Sequence, residues 1–179
     1  MELKQSISTY RSQEFLTGLT RKAGRLWIFV LSVVALWAIL ILSAPMAAAA
    51  EFDGIAGPVY GFFGYVCHQI PERSFHIFGH QLAVCSRCTG VYFGLTAGLI
   101  GYPLFRPLAE SDPLPRFWLF LGMIPIAVDW SLGYFGIWHN NHLSRVTTGL
   151  ILGIACAVFI VPAIAELAEI RLTRTLEQN

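Results

Sequence analysis

The chain has 179 residues, of which 55% are apolar and only 13% charged, with a mean hydropathy of +0.60. That mix lies outside the range of water-soluble domains and is the composition of a membrane protein. A net charge of +1 supplies neither the basic excess that would suggest a nucleic-acid partner nor the acidic excess of a disordered tail.

Residues 1–25 read as a cytoplasmic leader, loosely amphipathic through Leu3, Ile7, Leu16 and Leu19, a pattern that suits either the membrane surface or plain solvation. A single membrane domain is expected over 26–168, followed by a cytoplasmic tail at 169–179. Crossing the hydrocarbon core takes about 20 apolar residues in a helix. Four stretches come near that length, at about 26–47, 89–105, 117–137 and 146–166, so the predicted fold is an all-α, polytopic bundle of four transmembrane helices. The first stretch has the basic flank and Ala-rich end of a signal peptide. Its apolar run exceeds the usual length of roughly 7 to 15 residues, which favours an uncleaved anchor.

Between the first two spans lies a Cys/His loop, residues 51–88. It opens with GPVYGFFGYVCH, in which Gly57, Gly61 and Gly64 fall on one helical face. The expectation is a short interfacial helix that packs this face on a neighbour and presents Tyr60, Phe63 and Tyr65 elsewhere. A rival reading lets residues 54–70 cross, giving five spans and a cytoplasmic loop. The second span repeats glycine at 90, 94 and 98, and the fourth carries Gly149 and Gly153. Small residues at that spacing predict helix packing seams.

Cytoplasmic flanks are enriched in Lys and Arg. Four spans place Lys4, Arg11, Arg21, Lys22, Arg25, Arg106, Arg116, Arg171 and Arg174 inside and only Arg73, Arg87 and Arg145 outside. Both termini are therefore expected in the cytoplasm and the Cys/His loop outside it. Trp27, Trp118, Trp130 and Trp138 fit interfacial belts.

Three of the four cysteines and three of the five histidines lie between Cys67 and Cys88. In Cys85-Ser-Arg-Cys88 a two-residue gap lets both sulfurs face one ion or each other. With Cys67 and His68 the loop holds the donors of a Cys₃His zinc, or other soft-metal, site, and His76 and His80 are further candidates. A structural disulfide is an open alternative outside the cytoplasm. So is a redox-active pair, its thiolate favoured by Arg87 and a helix start. Attached haem is disfavoured because Thr89, not His, follows the second cysteine. Cys156 reads as a small buried apolar side chain.

Asp129 is an acid inside an apolar span, where such residues are rare, paired and commonly functional. Arg145 is its expected partner, with Arg87 as the other candidate, and a structural ion pair is the plainer reading. His139 and His142 stand in the other outer loop. Both histidine-bearing loops and Asp129 converge on one membrane face in the four-span arrangement.

The segments CHQIPERS, VCSRCTGVYFG, the Asp129-Trp130 pair and RVTTG together resemble a family of predicted bacterial membrane proteins, domain of unknown function 2085. The matching positions are Cys67, His68, Gln69, Arg73, Ser74, Cys85, Arg87, Cys88, Thr89, Gly90, Asp129, Arg145 and Gly149. The family's pattern often runs Asp-Gly where this chain has Asp129-Trp130. The resemblance implies a helical protein of the bacterial inner membrane and no established reaction.

The favoured function is a binding module, or an accessory subunit of a larger complex or homo-oligomer, built on the extracytoplasmic metal site. Arg73, Arg87, Asp129 and Arg145 would support that site. The alternatives are an enzyme, either a thiol-disulfide oxidoreductase through Cys85 and Cys88 or a metal-dependent hydrolase with Asp129 as acid or base, and a small ion-coupled transporter using Asp129.

Overall fold

A computed structural model describes the backbone of residues 2–177 and the side chains of residues 13–174. Among these residues the chain forms helix α1 (Glu2–Ala49), helix α2 (Asp53–Gly64), a 3-10 turn (Pro71–Arg73), a two-stranded hairpin β1 (His76–Ile77) and β2 (His80–Gln81), helix α3 (Ser86–Gly101), a second 3-10 turn (Tyr102–Leu104), helix α4 (Phe117–Tyr134) and helix α5 (His142–Glu177). Three stretches are long and apolar enough to cross a membrane: Gln13–Ala49, Phe117–Tyr134 and His142–Arg174. Helix α3 has 16 residues and α2 has 12. At 1.5 Å per residue α2 reaches only about 18 Å, well short of a bilayer core.

Helix α1 stops because Glu51 takes a left-handed conformation, φ 58°. The N–H of Glu51 then bonds the Ala48 carbonyl and that of Phe52 the Ala47 carbonyl, a Schellman closure that turns the chain straight into α2. The two helices are locked by aromatic contacts. Trp37 meets Phe62 and Phe63 edge-on, with centroids 5.3 and 5.1 Å apart, and Tyr92 of α3 closes the cluster at 5.7 Å.

Helices α3 and α5 make the most extensive contact of the fold, and its cause is the glycine repeat. A Cβ on Gly90 would lie 2.2 Å from the Val146 carbonyl oxygen, one on Gly94 2.3 Å from that of Leu150, and one on Gly153 2.2 Å from that of Val91. Backbone therefore packs on backbone, as small residues permit between helices in lipid. Helix α4 joins α5 through Gly122, whose missing Cβ leaves room for Ala155, and exposes Phe120, Ile124 and Val128 on its other faces. Trp27 bonds the Leu99 carbonyl across α1 and α3 at 3.0 Å, so this tryptophan is a packing residue as well as a belt candidate.

Three expectations are corrected. Gly57 and Gly61 of α2 have nothing within 4 Å of an added Cβ, so no helix packs on that face. Phe63, expected to point elsewhere, is completely buried and anchors α2, while Tyr65 is 92% exposed. Aromatic burial against Trp37 sets the rotation of α2, leaving its glycines outward. In the leader, Leu19 is buried with Ala23 and Ala168, so this part of α1 packs on α5 instead of lying on a surface. The side chains of Leu3 and Ile7 fall outside the described residues.

Candidate metal centre

Each cysteine of the 67–88 segment is placed by a helix end. The Cys67 N–H bonds the Phe63 carbonyl at 2.9 Å, which holds Cys67 on an extra turn beyond α2, above the buried Phe63. Cys85 caps the start of α3 in an extended conformation. Its carbonyl accepts the Thr89 N–H at 2.9 Å and the Thr89 hydroxyl at 3.1 Å. Cys88 follows one turn later. The three sulfurs all lie within 4.8 Å of one another, and the Cys85 N–H donates to Cys67 Sγ at 3.2 Å. Such donation stabilises a thiolate. The Cys85 thiol lies far below its ordinary range because the Cys67 and Cys88 thiols hydrogen-bond its thiolate. All four cysteines are unpaired.

The histidines expected as further ligands are not in this cluster. His68 follows Cys67 in sequence, but Cys67 is turned inward and His68 outward, where it is exposed and lines the cleft beside the sulfurs. His76 and His80 border a separate surface hollow with Tyr60, Gln69 and Gln81. Ile77 packs toward the core, and alternation along the strand directs His76 the other way. The Cys₃His set is thereby reduced to three sulfurs among the described residues.

Gln69 organises the loop that carries Cys67. Its backbone is left-handed, φ 48°, and its amide nitrogen donates to the carbonyls of Tyr60 and Ala83, both at 2.8 Å. Gln81 donates in turn to the Gln69 carbonyl at 3.0 Å, and the Tyr60 hydroxyl to that of Gln81. The hairpin turns on Phe78 and Gly79, both at positive φ as a type I′ turn requires.

Asp129 is 8% exposed. Its ion-pair partner is Arg87, on the first turn of α3, and not the favoured Arg145. Arg87 lies between Cys85 and Cys88 in sequence and reaches Asp129 on α4, while their sulfurs gather with that of Cys67. Asn140 bonds the Asp129 carbonyl, in space left by Gly133. Ser86 escaped the sequence reading, and so did the partner that it gives His142. Ser86 is fully buried, and its hydroxyl shares a 2.7 Å hydrogen bond with His142 Nδ1, while the His142 ring lies against Phe75 at 5.2 Å. No spacing pattern links residues 56 positions apart.

These elements enclose a cleft of about 430 Å³ at one end of the bundle. Its walls include Cys67, Cys85, Cys88, His68, His139, Arg73, Arg87, Arg145, Trp130 and Trp138, drawn from both loops. The segment that builds it, residues 67–159, matches the family model described as "Predicted membrane protein (DUF2085)". The chain belongs to this family. An uncharacterized protein of Methanocaldococcus jannaschii is 37% identical over 109 residues, 61% of this chain and 70% of that protein. An uncharacterized protein of Methanothermobacter thermautotrophicus is 38% identical over 96 residues, 54% of this chain and 85% of the relative. Both relatives are archaeal, so they lend no support to the bacterial part of the expectation. No solved structure matches the chain. Trp130 lines the cleft and stacks on Tyr134 at 5.1 Å.

Proposed function

We propose that this DUF2085 protein is a membrane-embedded binding module in which Cys67, Cys85 and Cys88 hold one zinc, or similar soft divalent ion, as thiolates. The ion's fourth position would face the cleft. The observation that carries this reading is the convergence of three sulfurs within 4.8 Å of one another at the cleft wall. Zinc prefers four ligands in a tetrahedron, and sites with three protein ligands keep the fourth place for water or an exogenous ligand. The Cys85 N–H on Cys67 Sγ supplies the outer hydrogen bond that thiolate ligands commonly receive.

In this reading α1, α3, α4 and α5 cross the bilayer, with the shorter α3 embedded against α5, and α2 lies at the interface. The nine-to-three distribution of Lys and Arg supports cytoplasmic termini and an extracytoplasmic cleft. Asp129 serves as the structural partner of Arg87, because its carboxylate is buried and already bound.

A second reading is favoured by the same geometry, three unpaired sulfurs within 4.8 Å of one another with hydrogen bonds from Cys67 and Cys88 holding the Cys85 thiol low: thiol-disulfide exchange among these cysteines. One experiment separates the two. Protein purified without chelator is assayed for metal by elemental mass spectrometry and for free thiols after denaturation. About one zinc per chain with four reactive thiols supports the metal module; no metal and two reactive thiols would replace it with the redox pair.

A further inference from the structure

The cleft carries more positive charge than its structure consumes. Arg73, Arg87 and Arg145 all line it, yet Arg87 alone has an ion pair at this end of the molecule among the described residues. Arg73 ends the Pro71–Arg73 turn and is exposed. Arg145 stands in the first turn of α5, close enough for the like charges of Arg73 and Arg87 to bear on it. Arg87 Nε is buried without a hydrogen-bond partner. None of the acidic residues of the outer loop, Glu51, Asp53 or Glu72, lines the cleft. Three guanidinium groups converge from the loop, α3 and α5 on the Asp129 carboxylate and the proposed three-thiolate zinc centre of net charge minus one, so one positive charge is left over and the groups repel one another. A fold retains that repulsion where an anion relieves it.

We infer that the cleft binds a phosphate group, gripped by Arg73 and Arg145 in front of the cysteine cluster. Guanidinium forks match phosphate oxygens two at a time, which makes arginine the residue for this task. The rest of the wall fits a phosphate ester. Trp130, Tyr134 and Trp138 offer aromatic faces to an apolar body attached to it, and a volume of about 430 Å³ accommodates a headgroup-sized molecule. A phospholipid headgroup from the surrounding bilayer and a soluble phosphate ester present the same chemistry. The inference rests on reading the cleft as a ligand site, while the identity or presence of the metal is measured separately.

The test uses the full chain in detergent and in nanodiscs, with metal content determined on every sample. Wild type, Arg73→Gln, Arg145→Gln and the conservative Arg73→Lys are titrated calorimetrically with inorganic phosphate at constant ionic strength, with chloride as control. In parallel, retention of phosphatidylglycerol against phosphatidylcholine is read by native mass spectrometry. Saturable phosphate binding that weakens at least about tenfold in both glutamine variants, and partly returns in Arg73→Lys, supports the site with a soluble source. Selective retention of phosphatidylglycerol, lost in both glutamine variants, supports it with a lipid source. Absence of saturable binding by both probes, or wild-type binding in either glutamine variant, overturns it. Phosphate binding without zinc would instead remove the metal proposal and leave this one standing.

Discussion

Arg87 binds the carboxylate of Asp129 and so fastens the first turn of α3 to α4 immediately beside the cysteine cluster. Both side chains are largely shielded, which makes the pair costly to break on one side and cheap to replace on both. Asp129→Leu alone is expected to lower stability by about 2–3 kcal/mol, since it leaves the Arg87 charge without its partner. The double variant Arg87→Met with Asp129→Leu should recover most of that loss. A double-mutant cycle on denaturation in detergent measures both, and additive single effects would contradict the account.

The glycine seam gives a sharper contrast. Gly94→Ala pushes a methyl group into the Leu150 backbone, and Gly149→Ala into that of Arg87. Neither neighbour can give way without moving a helix, so each substitution should cost at least about 2 kcal/mol and lower the yield of folded protein. Gly57→Ala and Gly61→Ala meet open space and should be neutral or stabilising by about 0.5–1 kcal/mol, the ordinary preference for alanine in a helix. Thermal midpoints of the four variants in one detergent decide the matter.

That contrast also shows what the sequence could and could not reveal. Glycine at four-residue spacing marks both α2 and α3, but spacing says nothing about whether a second helix arrives. It does on α3 and does not on α2. The Cys85-x-x-Cys88 gap was readable because one helical turn brings its ends together. His68 lines the cleft but stands outside the sulfur cluster, because neighbours in sequence project to different sides of a turn. Asp129 announced itself as an acid in an apolar run, whereas its choice of Arg87 over Arg145 depends on how α3 is rotated about its axis. The Ser86–His142 bond joins elements with no local pattern between them.

Gln69 is the next test. Removing its amide in Gln69→Ala leaves the Tyr60 and Ala83 carbonyls without their donor while keeping the strained left-handed backbone. A loss of about 1–3 kcal/mol is expected, concentrated in the loop. Zinc should therefore pass to a chelator faster from the variant than from wild type. Equal transfer rates would show that the clamp does not hold the centre.

Cys85 supplies a pH dependence. Hydrogen bonds from Cys67 and then Cys88 lower its pKa, so its thiolate persists as pH falls and is lost only below the usual thiol range. In protein stripped of metal, alkylation at Cys85 by iodoacetamide should be nearly as fast at pH 6 as at pH 8. An ordinary thiol slows about a hundredfold over that interval. Cys67→Ala removes the largest stabilising contact and should restore the steep profile, read by mass mapping of the modified site.

The most direct test is zinc-edge X-ray absorption on the metal-loaded protein in nanodiscs. Three sulfur neighbours at about 2.3 Å and one nitrogen or oxygen at about 2.0 Å are expected, the light ligand exchanging when phosphate is added. A shell of four protein ligands unaffected by phosphate, or no bound metal in protein with four free thiols, would contradict the proposed centre.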